Sequence, residues 1–190
     1  MNYLAHSLFA FSDGQLVGQF LNDYIRNSER FSLPEEIQKG IKLHREIDTF
    51  TDSHPAIRQA KKVFSPLVRL YSGAFVDVAM DYFLANDSSV KSPKAWKIHS
   101  QNVYRILNEN IRWFPENFQK MLSRMESDDW LYNYREDWAI KFSLQNVLNR
   151  AKYLEKDLNV FELFQKNKPA LKKIYDEFFP ELRCFCENYF

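Results

Sequence analysis

The sequence contains few of the residues on which all-β folds and disulfide-stabilised domains depend. Only four of its 190 residues are glycine, too few for a fold made of many tight β turns. Its two cysteines, Cys184 and Cys186, are so close in sequence that a disulfide between them would close almost no loop. A Cys-x-Cys pair without further cysteines or a nearby histidine is also a poor zinc motif. We therefore expect both thiols to be reduced, as in a cytoplasmic protein.

A large net charge and a long apolar run are missing as well. The chain has 26 basic and 25 acidic residues and a formal net charge of +1, so no overall field favours DNA or RNA. No apolar run approaches the roughly 20 residues that cross a bilayer. The first residues, MNYLAHSLFAFSDGQL, lack the basic start and the small-residue cleavage site of a signal peptide. We predict a cytoplasmic protein that binds neither nucleic acid nor membrane, and the sequence leaves its oligomeric state open.

Aromatic residues are abundant, and helix signals recur along the chain. Seventeen Phe and ten Tyr supply enough apolar surface for one core, so we expect a single domain over residues 1–190. Ser12 and Gln15 form a capping-box pattern at the start of one helix, and Ser32 marks the start of the next. The predicted fold class is an all-α helical bundle, with helices over residues 12–27, 32–51, 56–64, 68–85, 94–111, 115–125, 134–156 and 169–189.

Acidic residues and a histidine interrupt the apolar faces of three predicted helices. His44 and Asp48 are one helical turn apart on the apolar face of the helix over residues 32–51. Asp77 and Asp81 have the same spacing between apolar neighbours in the helix over residues 68–85. Asp23 follows an apolar stripe on an earlier helix. The pattern predicts that these aspartates and the histidine point toward the interior of the protein.

Buried carboxylates that converge repel each other unless a cation lies among them. His44 and Asp48 could reach one ion from a single helix, and Asp77 with Asp81 could complete its coordination from a facing helix. Mixed imidazole and carboxylate ligands suit Mn²⁺ or Fe²⁺, with Mg²⁺ as an alternative. The plainer interpretation is that Asp48 pairs with Arg45 or Lys42 on its own helix and that Asp81 is a partly exposed charge near a helix end.

Other polar residues have a structural explanation from sequence alone. His6 lies in the apolar stretch YLAHSLFAF and is interpreted as a core histidine, while His54 precedes Pro55 and fits a helix cap or turn. From residue 56 to residue 76 the chain has four basic residues and no acidic one. This stretch fits either a docking surface for an acidic partner or a solvated helix face. Its basic residues are Arg58, Lys61, Lys62 and Arg69.

Five segments resemble, in order, those of one known family. They are N-Y-L-A-H at residues 2–6, G-Q-F-L-N-D-Y at residues 18–24, G-I-K-L-H-R-E-I-D-T-F-T-D-S-H-P at residues 40–55, D-V-A-M-D-Y-F-L-A at residues 77–85 and the weaker L-Y-N-Y-R…Q-N-V-L-N at residues 131–149. The third segment is long and the most specific. The family is that of the acyl carrier protein phosphodiesterases, whose helical scaffold is distantly HD-domain-like.

The resemblance implies a reaction and a site. The reaction is hydrolysis of the phosphodiester that links 4′-phosphopantetheine to a serine of holo-acyl carrier protein, with a divalent metal, typically manganese. Tyr82 is a departure, because the family usually has a histidine there, although the tyrosine hydroxyl can still donate a hydrogen bond. Matched segment by segment, the site residues that the resemblance implies are His6, Asp23, His44, Asp48, Asp77 and Asp81.

The resulting hypothesis is metal-assisted phosphodiester hydrolysis, in which a carboxylate takes a proton from water. The predicted metal ligands are His44, Asp48, Asp81, Asp23 and His6. The predicted catalytic carboxylates are Asp23, Asp48 and Asp77. The predicted substrate-binding residues are Arg45, Tyr82 and His54, although Arg45 could equally be a surface charge. Two alternatives stay open: a phosphohydrolase that acts on a nucleotide or another small phosphoester, and a non-catalytic helical binding protein.

Overall fold

Residues 1–189, the part of the chain that the computed structural model describes, form ten α-helices joined by loops and short 3₁₀ turns. The helices are α1 (Tyr3–Leu8), α2 (Asp13–Leu21), α3 (Glu35–Ser53), α4 (Pro55–Val68), α5 (Ser72–Ala85), α6 (Pro93–Glu109), α7 (Glu116–Ser127), α8 (Trp130–Asn133), α9 (Asp137–Arg150) and α10 (Val160–Glu187). The 3₁₀ turns are Asn22–Tyr24, Glu29–Ser32, Arg69–Tyr71 and Ile111–Trp113. None of the described residues lies in a strand, so the all-α prediction is confirmed.

The helix starts follow the sequence signals in part. The Ser12 hydroxyl accepts a hydrogen bond from the Gln15 amide at 3.2 Å, as the capping-box pattern predicts. Ser32 does not cap α3, because its hydroxyl donates instead to the Glu29 carbonyl at 2.7 Å and the helix begins at Glu35. The prediction for this second start was therefore wrong by about one turn.

Several predicted helix ends were also wrong. α2 ends at Leu21 rather than near Asn27, because the chain tightens into the 3₁₀ turn at Asn22–Tyr24 and is then extended at Ile25. α9 covers only residues 137–150 of the predicted 134–156, and α4 continues past its predicted end at residue 64. α10 begins at residue 160 and contains both Pro169 and Pro180, so its start lies nine residues before the predicted one.

Two glycines allow α2 and α3 to cross in direct backbone contact. A Cβ atom on Gly18 would lie 2.2 Å from the Ile37 carbonyl oxygen, and one on Gly40 would lie 2.1 Å from the Gln15 carbonyl oxygen. Both distances are far inside van der Waals contact, so a larger residue at either position would force the helices apart. The close crossing brings the Gln19 backbone of α2 within hydrogen-bond distance of His44 on α3.

The segment from Pro55 to Ala85, which contains α4, a 3₁₀ turn and α5, is long and apolar enough to cross a membrane by length and composition. In this fold 44% of its most apolar window is buried inside the protein. Arg69, which has a φ of 52°, separates α4 from α5, so the segment is not one continuous helix. Core packing of α4 and α5 accounts for the apolar residues of this segment, including the fully buried Phe64 and Phe75.

Candidate metal centre

Two histidines from different helices stack at the centre of the site. The rings of His6 on α1 and His44 on α3 lie 3.8 Å apart between centroids and within 9° of parallel. Both side chains are buried, and both direct Nε2 toward the same carboxylate. The Nε2 atoms of His6 and His44 lie 3.4 Å and 3.2 Å from separate oxygens of Asp48. The predicted i, i+4 pair of His44 and Asp48 therefore converges, and His6 joins it.

Gln19 on α2 orients both imidazole rings. Its side-chain oxygen lies 2.9 Å from Nδ1 of His6, and its backbone carbonyl oxygen lies 2.7 Å from Nδ1 of His44. Both oxygens only accept hydrogen bonds, so each Nδ1 atom carries a proton and donates. In the neutral form of such a ring, the Nε2 atom presents a lone pair toward Asp48. Hydrogen bonding at the far nitrogen is the arrangement that orients histidine ligands in metal sites.

The protonation states in this cluster suit metal binding. Burial, together with the neighbouring His44, lowers the pKa of His6 to about 4, so its ring is neutral near pH 7. Burial alone would raise the pKa of Asp48, but hydrogen bonds from His44 and His6, in the forms whose Nε2 carries a proton, outweigh it and hold that pKa below its usual range. A neutral imidazole and an ionised carboxylate are the forms in which these groups bind metals.

The ligand geometry fits a divalent cation. The ligand atoms of His6, His44 and Asp48 all lie within 4.8 Å of one another. Two ligands that each lie about 2.1 Å from an ion are about 3.0 to 3.4 Å apart in octahedral or tetrahedral coordination. The contacts of 3.2 and 3.4 Å within the cluster match this spacing, and Asp23 adds a fourth ligand residue, with an oxygen 3.6 Å from Nε2 of His44. Lone pairs that face a carboxylate repel it unless a cation lies between them.

The two aspartates of α5 have different surroundings. Asp77 is partly exposed, lines a polar cavity next to the His6–His44–Asp48 cluster and accepts a hydrogen bond from the ammonium group of Met1 at 2.8 Å. Burial raises the pKa of Asp77, although the Met1 ammonium opposes the effect. Asp81 is fully buried and accepts hydrogen bonds from the amides of Asn2 at 3.2 Å and Leu4 at 2.8 Å. Burial raises the pKa of Asp81 to about 7.

The structure does not group Asp81 with the ligand atoms of His6, His44 and Asp48. Its two oxygens hold the first turn of α1, and it lies outside both the group of ligand atoms around Asp48 and the cavity lining. Asp77 faces the cavity but is not in that group of ligand atoms either. Helical spacing correctly indicated that Asp77 and Asp81 point inward, but it could not show that one of them meets backbone amides.

The cluster forms one wall of a polar cavity of about 480 Å³. Thr51, one turn after Asp48 on α3, lines this cavity, and its buried hydroxyl has no hydrogen-bond partner among residues 1–189. Arg150, the last residue of α9, also lines this cavity. Acidic ligands, an unpaired hydroxyl and a guanidinium around one cavity can bind a cation together with an anion such as a phosphate.

The comparison with known families decides the assignment. The family described as acyl carrier protein phosphodiesterase matches residues 1–182. The chain belongs to the acyl carrier protein phosphodiesterase family. It is 31% identical to a protein of this name from Yersinia pestis over 96% of this chain and 95% of the relative. It is 29% identical to one from Enterobacter sp. strain 638 over 99% of this chain and 98% of the relative.

A comparison with solved structures finds no match for this chain. The resemblance drawn from the sequence motifs to the acyl carrier protein phosphodiesterase family is confirmed. The more distant likeness of this family's scaffold to HD-domain proteins stays a prediction.

Arg45, a predicted substrate-binding residue, lies outside the cavity lining in this acyl carrier protein phosphodiesterase family member. Its Nε donates to the side-chain oxygen of Asn22 at 2.9 Å, and Asn22 in turn donates to Asp23 at 3.0 Å. Arg45 therefore supports the turn that presents Asp23 to His44. It acts through other residues rather than facing the cavity.

Tyr82 and His54 also lie outside that lining. The Tyr82 hydroxyl donates to Asp137 at 2.8 Å, which links α5 to the start of α9. His54 caps α4 by accepting the Ala56 amide hydrogen at 3.2 Å, and its other ring nitrogen lies 3.2 Å from Glu181 on α10. The substrate contacts of Tyr82 and His54 stay a prediction, and the helix-cap alternative for His54 matches its position.

Three residues of the site were missed from the sequence. Gln19 and Thr51 lie inside two of the quoted segments, at residues 18–24 and 40–55, but an amide or a hydroxyl in a helix carries no signal of burial. Arg150 is distant in sequence from every other site residue, and only the fold places it beside the cavity. An unexplained polar residue inside a family-specific motif was the available clue for the first two.

Proposed function

We propose that this protein is a metal-dependent hydrolase that removes 4′-phosphopantetheine from holo-acyl carrier protein. The observation that carries the proposal is the convergence of two buried, Gln19-oriented imidazoles on Asp48. Membership of the acyl carrier protein phosphodiesterase family supports both the reaction and the substrate. The relatives named above carry that activity in their names.

His6, His44 and Asp48 would hold the cation, with Asp23 as a fourth ligand. Two imidazoles with carboxylates suit Mn²⁺ or Fe²⁺ better than Mg²⁺, which prefers oxygen ligands. A divalent cation bound there would neutralise phosphate charge and lower the pKa of water. Gln19 would keep both rings in the tautomer that leaves Nε2 free.

The hydrolysis itself requires one proton to be taken from water and one to be given to the leaving group. The water oxygen bonds to phosphorus, the bond between phosphorus and the serine oxygen breaks, and the serine oxygen gains a proton. Asp77, partly exposed in the cavity, is the residue we assign to this proton transfer. Its raised pKa, caused by burial, suits it both to accept the proton and to release it to the serine oxygen.

Arg150 is the residue we assign to the phosphate. It lines the cavity, forms no ion pair with any carboxylate among residues 1–189, and its Nε donates only to the Asn146 carbonyl at 3.3 Å. A guanidinium without a carboxylate partner remains available for a phosphate oxygen.

A basic surface beside the cavity supports a protein substrate. Lys61 on α4 pairs with Asp52 at 2.7 Å, and Asp52 lines the cavity. Lys62 and Arg58 are exposed on the same helix, and Arg69 is exposed at its end. Because residues 53–76 contain no acid, this surface would attract an acidic partner and orient it toward the metal centre.

The test is the intact mass of holo-acyl carrier protein after incubation with metal-depleted protein, with and without added Mn²⁺. We expect loss of the phosphopantetheine mass only when Mn²⁺ is present, and no loss with the Asp48→Asn variant. Glu46→Gln, an acid on the same helix outside the cavity lining, is the matched control and should retain activity.

Two outcomes would overturn the proposal. Mn²⁺-dependent hydrolysis of a panel of nucleotides or small phosphodiesters, with no reaction of the carrier protein, would indicate a different phosphohydrolase. No reaction with any substrate, and no metal bound by the purified protein, would indicate a helical binding protein.

A further inference from the structure

A second and larger cavity adjoins the metal centre. Its volume is about 920 Å³, and it lies between α9 and the residues around α8, with the start of α1 at its inner end. Five residues line both this cavity and the polar one beside Asp48, so the two spaces share a wall. They are Asn2, Tyr3, Val78, Val147 and Arg150.

The walls of the larger cavity differ from those of the metal centre. Trp138 and Phe142, one turn apart on α9, line it although they are 60% and 56% exposed. Large apolar side chains that remain exposed beside a cavity are typical of a binding site rather than of a core. Three carboxamides, Gln145, Asn146 and Asn149, follow these aromatics along α9 and also line the cavity. The backbone carbonyl of Asn146 accepts a hydrogen bond from Arg150. Aromatic and carboxamide walls of this kind suit a ligand with both apolar groups and amides.

Arg150 stands where the two cavities meet. A phosphate held between the metal centre and this guanidinium would carry its organic substituent into the larger cavity, because the two spaces are contiguous there. The volume of about 920 Å³ lies within the range of small-molecule sites, whereas a protein surface docks on a flatter face.

We propose that the larger cavity binds the pantetheine arm of the phosphodiester, an inference that rests on the proposed function. The arm has a branched apolar segment next to its phosphate and two amides further along. Trp138 and Phe142 pack against its apolar segments, and Asn146 hydrogen-bonds an amide. The carrier protein itself stays outside, on the basic face of α4.

The test compares the binding of 4′-phosphopantetheine and of inorganic phosphate to the Mn²⁺-loaded, full-length protein by calorimetry. We expect 4′-phosphopantetheine to bind at least about tenfold more tightly than phosphate, because truncation of a central aromatic contact typically costs this much. Trp138→Ala and Phe142→Ala should each remove most of that advantage without changing phosphate binding. Both side chains are exposed, so neither substitution should unfold the protein.

Phe31→Ala is the matched control, since Phe31 is 68% exposed and lines neither cavity. Equal binding of the two probes by the wild type, or tighter binding of 4′-phosphopantetheine that survives in both α9 variants, would overturn the arm site.

The experiment distinguishes failure of the arm site from failure of the proposed function. If the wild type binds 4′-phosphopantetheine but leaves holo-acyl carrier protein intact, the proposed reaction fails and the arm site stands. If it cleaves the carrier protein but both α9 variants behave as wild type, only the arm site fails.

Discussion

Gln19 holds His44 through its backbone carbonyl and His6 through its side-chain oxygen, so one residue of α2 aligns ligands from two other helices. The backbone contact depends on the close crossing of α2 and α3, so a substitution of Gln19 itself does not remove it. A substitution of Gln19 does remove the side-chain contact with His6, so the orientation of His6 can be tested separately from that of His44. Orientation of ligands by a residue behind them commonly contributes 10- to 100-fold to metal affinity.

Gln19→Met should weaken Mn²⁺ binding by about 10- to 100-fold, because His6 loses the acceptor that fixes its ring while His44 keeps its own. The measurement is a Mn²⁺ titration, with circular dichroism to show that helical content is unchanged. Gln15→Met, on the same helix and outside the cavity lining, serves as the control. Unchanged affinity in Gln19→Met would mean that Gln19 does not position the ring.

Gly18→Ala and Gly40→Ala should each destabilise the protein by about 1 to 3 kcal/mol or more, because each added Cβ atom would meet a backbone oxygen at 2.2 Å or less. Gly73→Ala provides the contrast. The nearest atom to its Cβ would be the flexible end of Lys61 at 3.5 Å, so this change on α5 should be neutral or stabilising by up to about 1 kcal/mol. Urea unfolding of the metal-free variants measures all three. Similar stability of Gly18→Ala and Gly73→Ala would contradict the close helix crossing.

His6 should make the stability of the metal-free protein depend on pH. Burial lowers its pKa to about 4 in the folded state, against about 6.5 when unfolded, so the unfolded chain binds more protons between these values. Stability is therefore lost as pH falls from about 6.5 to 4, by about 3 kcal/mol in total for this group. The difference in unfolding free energy between wild type and His6→Gln, measured across this range with chelator present, isolates the effect. A difference that does not change with pH would show that His6 is not held neutral.

Lys62→Glu should raise the KM for holo-acyl carrier protein with little change in kcat, because it reverses a charge on the basic face of α4 without touching the metal centre. The effect should shrink as salt is added. Lys120→Glu on α7 reverses an exposed charge that lies on another helix and lines neither cavity, so it should leave KM unchanged. An equal rise in KM in both variants would indicate that the net charge of the protein, rather than a docking face on α4, attracts the carrier protein.

Local sequence patterns predicted much of the fold and the core of the site. The Ser12 cap and the apolar stripes depend on neighbours within one helix, and so does the i, i+4 spacing of His44 and Asp48; the structure agrees with each. The end of α2 was missed because the turn at Asn22–Tyr24 is part of the tertiary arrangement that brings Asp23 to His44.

Helical periodicity identifies residues that share a face but not the groups that this face meets. Asp81 points inward as predicted, yet it meets the amides of Asn2 and Leu4, which lie 79 and 77 residues away in sequence. His6 looked like a core histidine for the same reason, because nothing local shows that it stacks on His44. Contacts between helices distant in sequence decided both cases.

Titration of the metal-free protein with Mn²⁺, followed by thermal unfolding, tests the His6–His44–Asp48 centre most directly. For the wild type and the Glu46→Gln control we expect saturable binding and a rise in the unfolding temperature. The gain in unfolding free energy should be about 2.7 kcal/mol when the free Mn²⁺ concentration is 100 times the Kd. Asp48→Asn should stay folded but show neither binding nor stabilisation, because the carboxylate whose two oxygens face the Nε2 atoms of His6 and His44 loses its charge. Equal binding by Asp48→Asn and the wild type would contradict this metal centre.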